Sequence, residues 1–433
     1  VHLLNRAAWG PRPGDIETVL DTGLESWLEQ QLHPEPIAPS SVLGQRLGQS
    51  ATLHMTAGAL LEAYQERIAS AGHRGRPIAR DVFREGLQAR VLRALDSPNM
   101  LEEVLTDFWF NHFNVFIGKG LLRVLPVRYE YDAIRPHLLG NFRDLLMATA
   151  MHPAMLFYLD QWNSSARAGI NENYAREVME LHTLGVNGGY TQSDVSELAR
   201  VLSGFTFDRR DPGNALFRFD GRRHDAGPKV WLGAEVPGSG QAQGVWALEK
   251  LASHPSTAQH LSQRMVRYFV SDTPQPQLQA DLARVFIQTR GDLRQMTRAL
   301  FTHHDFWHGA ALQPRLKPPM HFVLSALRAA GVRNPAETAP VGAILQSMGM
   351  PLYGCPTPDG FSPLESAWHS TEGFSQRIQW ASQVATATPN ADLQLVLQAL
   401  GPAVQPATLQ VLTQAPKPQQ VALVLASPEF LRR

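Results

Sequence analysis

The chain of 433 residues carries 39 Lys plus Arg against 39 Asp plus Glu, so its formal charge is zero and no overall field draws it to nucleic acid or an anionic membrane. With 44% hydrophobic residues it can bury the core of one large domain or of two closely joined ones. Its single cysteine, Cys355, excludes an internal disulfide and a cysteine-based zinc site.

In chain order, Asp15 to Leu20 and then Thr22-Gly-Leu-Glu25, read as a capping box ahead of Trp27, Leu28 and Leu32, predict a docking pair of helices. Pro34 to Ser41 is a Pro-rich connection. Leu53 to Ala71 and Ile78 to Leu95 follow with helical patterns, and Arg74, Arg76, Arg80 and Arg84 solvate the entry to the second. Ser97-Pro98 has the form of an N-cap followed by proline at the first helical position, opening a helix over Asn99 to Asn114. There Asp107, Asn111 and Asn114 share one face beside Phe108 and His112, amid Trp109, Phe110 and Phe113. Polar groups on so aromatic a helix must find partners. His112 is either a core histidine donating to a carbonyl or a group that binds substrate.

Asn141-Phe-Arg-Asp144 resembles a cap for a helix toward His152. Leu145 to Leu159 comes nearest to the roughly 20 apolar residues that span a bilayer, but His152-Pro153 interrupts it. The run from His152 ends in the polar Asp160 and Asn163. Next, Ala175, Val178, Met179 and Leu181 recur at helical spacing within Asn171 to Gly185, with glycine where a helix C-terminus favours it. On a 100° wheel Asn173, Arg176, Glu177, Glu180 and Leu184 share a face, and Glu172 lies one turn before Arg176. A solvated helix also carries such residues; here buried segments and the turn Asn187-Gly-Gly-Tyr190 frame them, which favours a pocket. Thr191-Gln-Ser-Asp194 then reads as a capping box for the following helix.

Between Ser203 and Gly233 the period changes. Phe205, Phe207, Phe217 and Phe219 alternate around the turn cluster Asp211-Pro-Gly-Asn214, predicting a β-hairpin or three-stranded flap, followed by His224-Asp225-Ala-Gly227 and a short strand at Lys229 to Leu232. The aromatic row is either hairpin core or a platform for carbohydrate. Helices resume over Gln241–Ala252, Ser256–Val270, Pro276–Thr289, Asp292–Phe301 and Pro318–Ala330, with His303-His304 as a loop or cap. Gly349 to Gly373 is a long loop holding Tyr353, Cys355, Asp359, Phe361, Trp368 and His369, and loops of this length are functional or disordered. Its aromatic residues favour order. Short packing helices end the chain. The fold class is therefore mainly α: a large multi-helix domain with a small β-hairpin flap, divided as residues 1–202 bearing the site, 203–233 forming the flap, and 234–433 packed on the first part.

Asn-Glu-Asn-x-x-Arg-Glu-x-x-Glu-Leu-His-Thr-Leu-Gly from Asn171, with Gly-Tyr-Thr-Gln-x-Asp-Val from Gly189, resembles the bacterial family catalogued as domain of unknown function 1800. Leu4-Asn-Arg-Ala-Ala-Trp-Gly-Pro, Phe108-Trp-Phe-Asn-His-Phe-Asn-Val, His224-Asp-x-Gly-x-Lys-x-x-Leu-Gly233 and Met348-Gly-Met-Pro-Leu-Tyr-Gly-Cys-Pro-Thr-Pro-Asp-Gly-Phe, with Trp368 and Arg377, extend the resemblance over nearly the whole chain. It implies an exported protein, periplasmic or extracellular, often encoded beside a sulfatase-like partner. A start at Val1 instead of Met implies either a trimmed chain or removal of a leader.

The sequence lacks a Gly-x-Ser-x-Gly elbow, a phosphate-binding glycine loop and a His-Glu-x-x-His motif. Three readings survive. In the first, the protein is an enzyme that hydrolyses a polysaccharide without a cofactor. Glu177, Glu180 and Asp225 supply the paired carboxylates, while His112, Asp160, Asn163, Glu172, Asn173, Arg176, Tyr190, His224 and Trp368 hold the sugar. In the second, a metal sits on Glu177 or Glu180 with His112, His182 or His224, although His182 follows Glu180 by two positions and so points away from it. In the third, Glu172, Arg176, Glu177 and Glu180 form a buried ionic network in a non-catalytic partner of an exported enzyme.

Overall fold

Apolar periodicity and capping chemistry locate most of the helices. The computed structural model describes residues 1–71, 76–208, 216–308, 312–333, 341–401 and 404–433. The fold is mainly α, with two antiparallel two-stranded sheets among those residues. The predicted box at Thr191 is present: its side chain accepts from the Asp194 amide, and the Asp194 carboxylate accepts from the Thr191 amide at 2.8 Å. Asn141 accepts from the Arg143 amide to open Phe142–Met151, and the His152 ring accepts from the Ala154 amide to restart the chain as Pro153–Tyr158. His303 caps His304–Trp307 in the same way.

Two predicted caps take another form. Thr22 ends the helix Asp15–Thr22, and Gly23, at φ 84°, stands before Leu24–Leu32 with no side chain to bond, so no box forms with Glu25. The Ser97 hydroxyl accepts from the Asn99 amide, and the helix itself begins later, spanning Met100–His112.

The flap is two separate hairpins. Phe205–Phe207 pairs with Phe217–Phe219, and Val230–Trp231 with Ala234–Glu235. The predicted turn at 211–214, like Arg74, lies outside the described residues. Phe205 and Phe207 are buried, and a Cβ on Gly244 would stand 2.3 Å from the Phe205 ring. The aromatic row is hairpin core, not an open platform, because half of it is sealed against a neighbouring helix.

Hydrophobic residues from Leu3 to Leu431 join in one core cluster. Buried arginines stitch the first residues to distant helices. Arg328 donates to Gly10 O at 2.7 Å, Ala94 O at 2.6 Å and the Asp15 carboxylate at 2.7 Å. Arg6 donates to Phe269 O and Val270 O, the open carbonyl end of the helix Pro255–Phe269, where a cation also complements the helix dipole. No helix among the described residues is long and apolar enough to cross a membrane.

Candidate functional site

The motif from Asn171 to Gly185 folds as an α-helix, Asn173–Glu177, that passes directly into a π-helical segment, Val178–Thr183. The wider turn leaves a carbonyl without its usual partner, and the Thr183 hydroxyl donates to Val178 O at 2.5 Å. Such insertions are frequent at functional sites. This one also alters the predicted wheel: Leu184, expected on the polar face, is buried, while Glu177 and Glu180 remain half-exposed. Gly185 adopts φ 80° as expected, with His260 packed where a Cβ would stand.

The predicted polar face divides in two. Glu172 and Arg176 are used structurally: they approach at 3.3 Å, Glu172 accepts from Ser196 at 2.6 Å and Gln192 at 2.8 Å, and Arg176 donates to Gln192 at 2.9 Å, which ties the motif to the helix Gln192–Leu202. Glu177 and Glu180 form no hydrogen bond or ion pair among the described residues. Burial, then the charge of Glu180 and that of Asp359, raise the Glu177 carboxyl above its ordinary value, with Arg176 opposing. The Tyr190 hydroxyl is raised by burial and by Glu180 and Glu177, and that of Tyr158 by burial, Cys355, Glu177 and Asp359. Glu177, Glu180, Asp359, Tyr158 and Tyr190 therefore share one electrostatic neighbourhood.

Asp359 arrives there on the long loop, and the aromatic helix explains how. Asn111 donates to Phe361 O at 2.8 Å and accepts from Phe361 N at 2.7 Å, while Asn114 donates to Cys355 O at 3.0 Å and Thr357 O at 2.8 Å. Tyr158 adds a hydrogen bond to Pro356 O at 2.8 Å. Gly360, at φ 73°, passes so close that a Cβ would lie 2.3 Å from Asn111 O. Asn111 and Asn114 thus find their partners in the loop, whereas Asp107 accepts from the Tyr268 hydroxyl at 2.9 Å. Asp359 stands in the Pro-Thr-Pro-Asp-Gly-Phe motif, and that stretch was its sequence signal.

The remaining predicted site residues lie in other surroundings. The Asp225 carboxylate grips Arg200 at 2.9 and 3.2 Å and is lowered first by that hydrogen bond, so it is a committed ion pair. His224 is buried with its ring nitrogens against Ser203 O at 2.8 Å and Gln243 at 3.1 Å. Asp160, at φ 59°, holds Lys119 through both oxygens at 2.8 Å. Asn173 reaches Leu159 O at 3.3 Å, Asn163 is exposed, and Trp368 donates to Ser362 O at 3.0 Å on the outer part of the long loop. Among the described residues no three His, Cys, Asp or Glu side chains converge as a metal ion requires.

His112 is buried and directs Nε2 to His182 O at 3.1 Å, which places it within the core. Beneath the motif it meets His182 and His260, whose rings each lie 6.1 Å from its own. Burial keeps all three neutral: His112 falls well below the ordinary histidine value, His182 to about 3 and His260 to about 4. Histidines of the unfolded chain take up protons from about pH 6.5 downward, whereas these do not. Their contribution is present above that pH and is lost as pH falls toward about 4 for His260 and about 3 for His182. Each histidine steepens the loss by up to about 1.4 kcal/mol per pH unit. Urea midpoints at pH 7.5, 6 and 5 should fall in step, and less steeply in His260→Gln; a flat profile would contradict buried neutral histidines.

The structure thus defines a mainly α protein in which a π-kinked helix presents two unpaired carboxylates beside a clamped loop. The chain belongs to the family described as protein of unknown function (DUF1800), whose model matches residues 2–432. No curated protein and no solved structure matches it.

Proposed function

We propose that the protein is an exported enzyme that hydrolyses a polysaccharide, with Glu177 as general acid and Glu180 as its partner carboxylate. One observation carries this: Glu177 and Glu180 are half-buried, adjacent and unpaired among the described residues, and the first has its pKa raised by burial and by the second. A buried ionic network would have paired them. Glycosidic cleavage needs one carboxyl that stays protonated near neutrality to donate to the leaving oxygen, and another that activates water or attacks the anomeric carbon. Asp359 takes the place first given to Asp225 as the third carboxylate in reach. Tyr190 offers a ring face and a hydroxyl to a sugar. The family resemblance supports export.

The test is reducing-end release from a panel of bacterial and plant polysaccharides. Glu177→Gln and Glu180→Gln should each lose about a hundredfold or more of activity, with melting temperatures within about a degree of the parent, since neither side chain has a bond to lose. If no polymer is cut by the parent, or if both variants retain full activity, the reading fails.

A further inference from the structure

A second region of the molecule, independent of the carboxylates, has the chemistry of a ligand site. Arg315 to Lys317 runs antiparallel to Leu431 to Arg433, with Lys317 N donating to Leu431 O at 2.8 Å and Arg433 N to Arg315 O at 2.7 Å. Beside this ribbon lies a cavity of about 580 Å³, lined by Lys317 and Arg433 and by the apolar Leu312, Ala399, Leu400 and Pro428.

The residue that marks it is Lys317. The residue is only 3% exposed, yet among the described residues its ammonium donates to no acceptor and meets no carboxylate; it lies over the Phe430 ring, 3.9 Å from Nζ. A buried ammonium is ordinarily paired. The surroundings increase the deficit of negative charge. Burial, then Arg433 and Arg377, hold the Lys317 pKa well below the ordinary lysine value. Arg433 Nε is buried without a partner too. Asp272 is engaged with Arg315 and Glu365 with Arg432, while Glu429 accepts from Thr408 and the Gln405 amide through Oε1 only, and meets no cation among the described residues. Because Glu429 stands on the cavity wall, an acidic head is repelled from its side and directed toward Lys317.

We infer that this cavity binds a small carboxylic acid with an apolar chain, its carboxylate against Lys317 and its chain along Leu312, Ala399, Leu400 and Pro428. The anion supplies the carboxylate that Lys317 lacks among the described residues, and the apolar walls gain from covering a hydrocarbon. A neutral molecule of the same shape would leave Lys317 as it is.

Calorimetric titration of the full chain with octanoate, and with octanamide as its neutral counterpart, tests this. Octanoate should bind saturably, and octanamide at least about tenfold more weakly, the difference expected for a hydrogen bond to a charged group. Lys317→Met should reduce octanoate to the level of the amide. Ala407→Trp, an exposed change at the cavity rim that leaves Lys317 untouched, should abolish both. No saturable binding of octanoate, equal binding of acid and amide, or unchanged binding in Ala407→Trp would each overturn the assignment.

Discussion

Glu130→Ala is expected to destabilise the protein by about 3–5 kcal/mol, the loss seen when one partner of a buried ion pair is removed. Glu130 is fully buried and accepts from Arg90 Nε at 2.7 Å, Arg135 Nε at 2.8 Å and the Tyr353 hydroxyl at 2.6 Å. Arg135 continues to Glu103 at 2.8 Å, and Glu103 to Arg93 at 3.4 Å, so one carboxylate joins four helical segments and the start of the long loop. Removing it leaves Arg90 in the core with only Asp107, at 3.9 Å, and takes from Arg135 one of its carboxylate partners. Tyr353→Phe deletes a single hydrogen bond to an ionised group and should cost about 1.5–3 kcal/mol. Burial opposes ionisation of Glu130, but Arg90, Arg135 and Tyr353 prevail and lower its pKa to about 2 from 4.5. The sign follows: a depressed acid contributes fully above its unfolded value and loses that contribution as pH falls from 4.5 to about 2. Urea unfolding should show the parent converging on Glu130→Ala across that window. A loss under about 1 kcal/mol at pH 7 would mean that the network does not hold the fold.

A buried ionic network on the motif helix was one of three readings of the sequence, and the network around Glu130 shows what a sequence discloses. Caps and periods are local: Thr191 and Asp194 are three residues apart, and the Phe205 and Phe217 rows alternate at a fixed step, so the box and the hairpin were legible. Glu130 meets Arg90 across 40 residues and Tyr353 across 223, and no spacing rule joins such pairs. The π-helical turn at Val178–Thr183 leaves no mark in apolar spacing, which is why Leu184 was placed on the wrong face. Glu177 and Glu180 were visible as a pair one turn apart, but whether they were paired or free depended on Gln192 and Ser196 taking Glu172 instead. Asp225 looked equally available until Arg200, on another element, claimed it.

Asn111→Leu is the second change of large expected effect, and it joins the clamped loop to the carboxylates. Leucine keeps the volume but removes both bonds to Phe361, whose backbone N–H and C=O then lack their partner. At roughly 1–3 kcal/mol for each of the two part-buried groups the loss is about 2–6 kcal/mol. The damage should be local, because Asn114 still holds Cys355 and Thr357. Hydrogen exchange should therefore accelerate first at the Phe361 amide and across 357–361, before the helices of the core respond. A freed loop also carries Asp359 away from Glu177, and since the negative charge of Asp359 contributes to raising the Glu177 carboxyl, its pKa should move down toward the ordinary value. If Glu177 is the general acid, activity at neutral pH then falls as the alkaline limb of the pH profile shifts to lower pH. Asp359→Asn should reproduce that shift without the exchange phenotype, because its carboxylate makes no hydrogen bond that holds the loop. Unchanged exchange at Phe361 in Asn111→Leu would show that the loop is positioned by its aromatic packing alone.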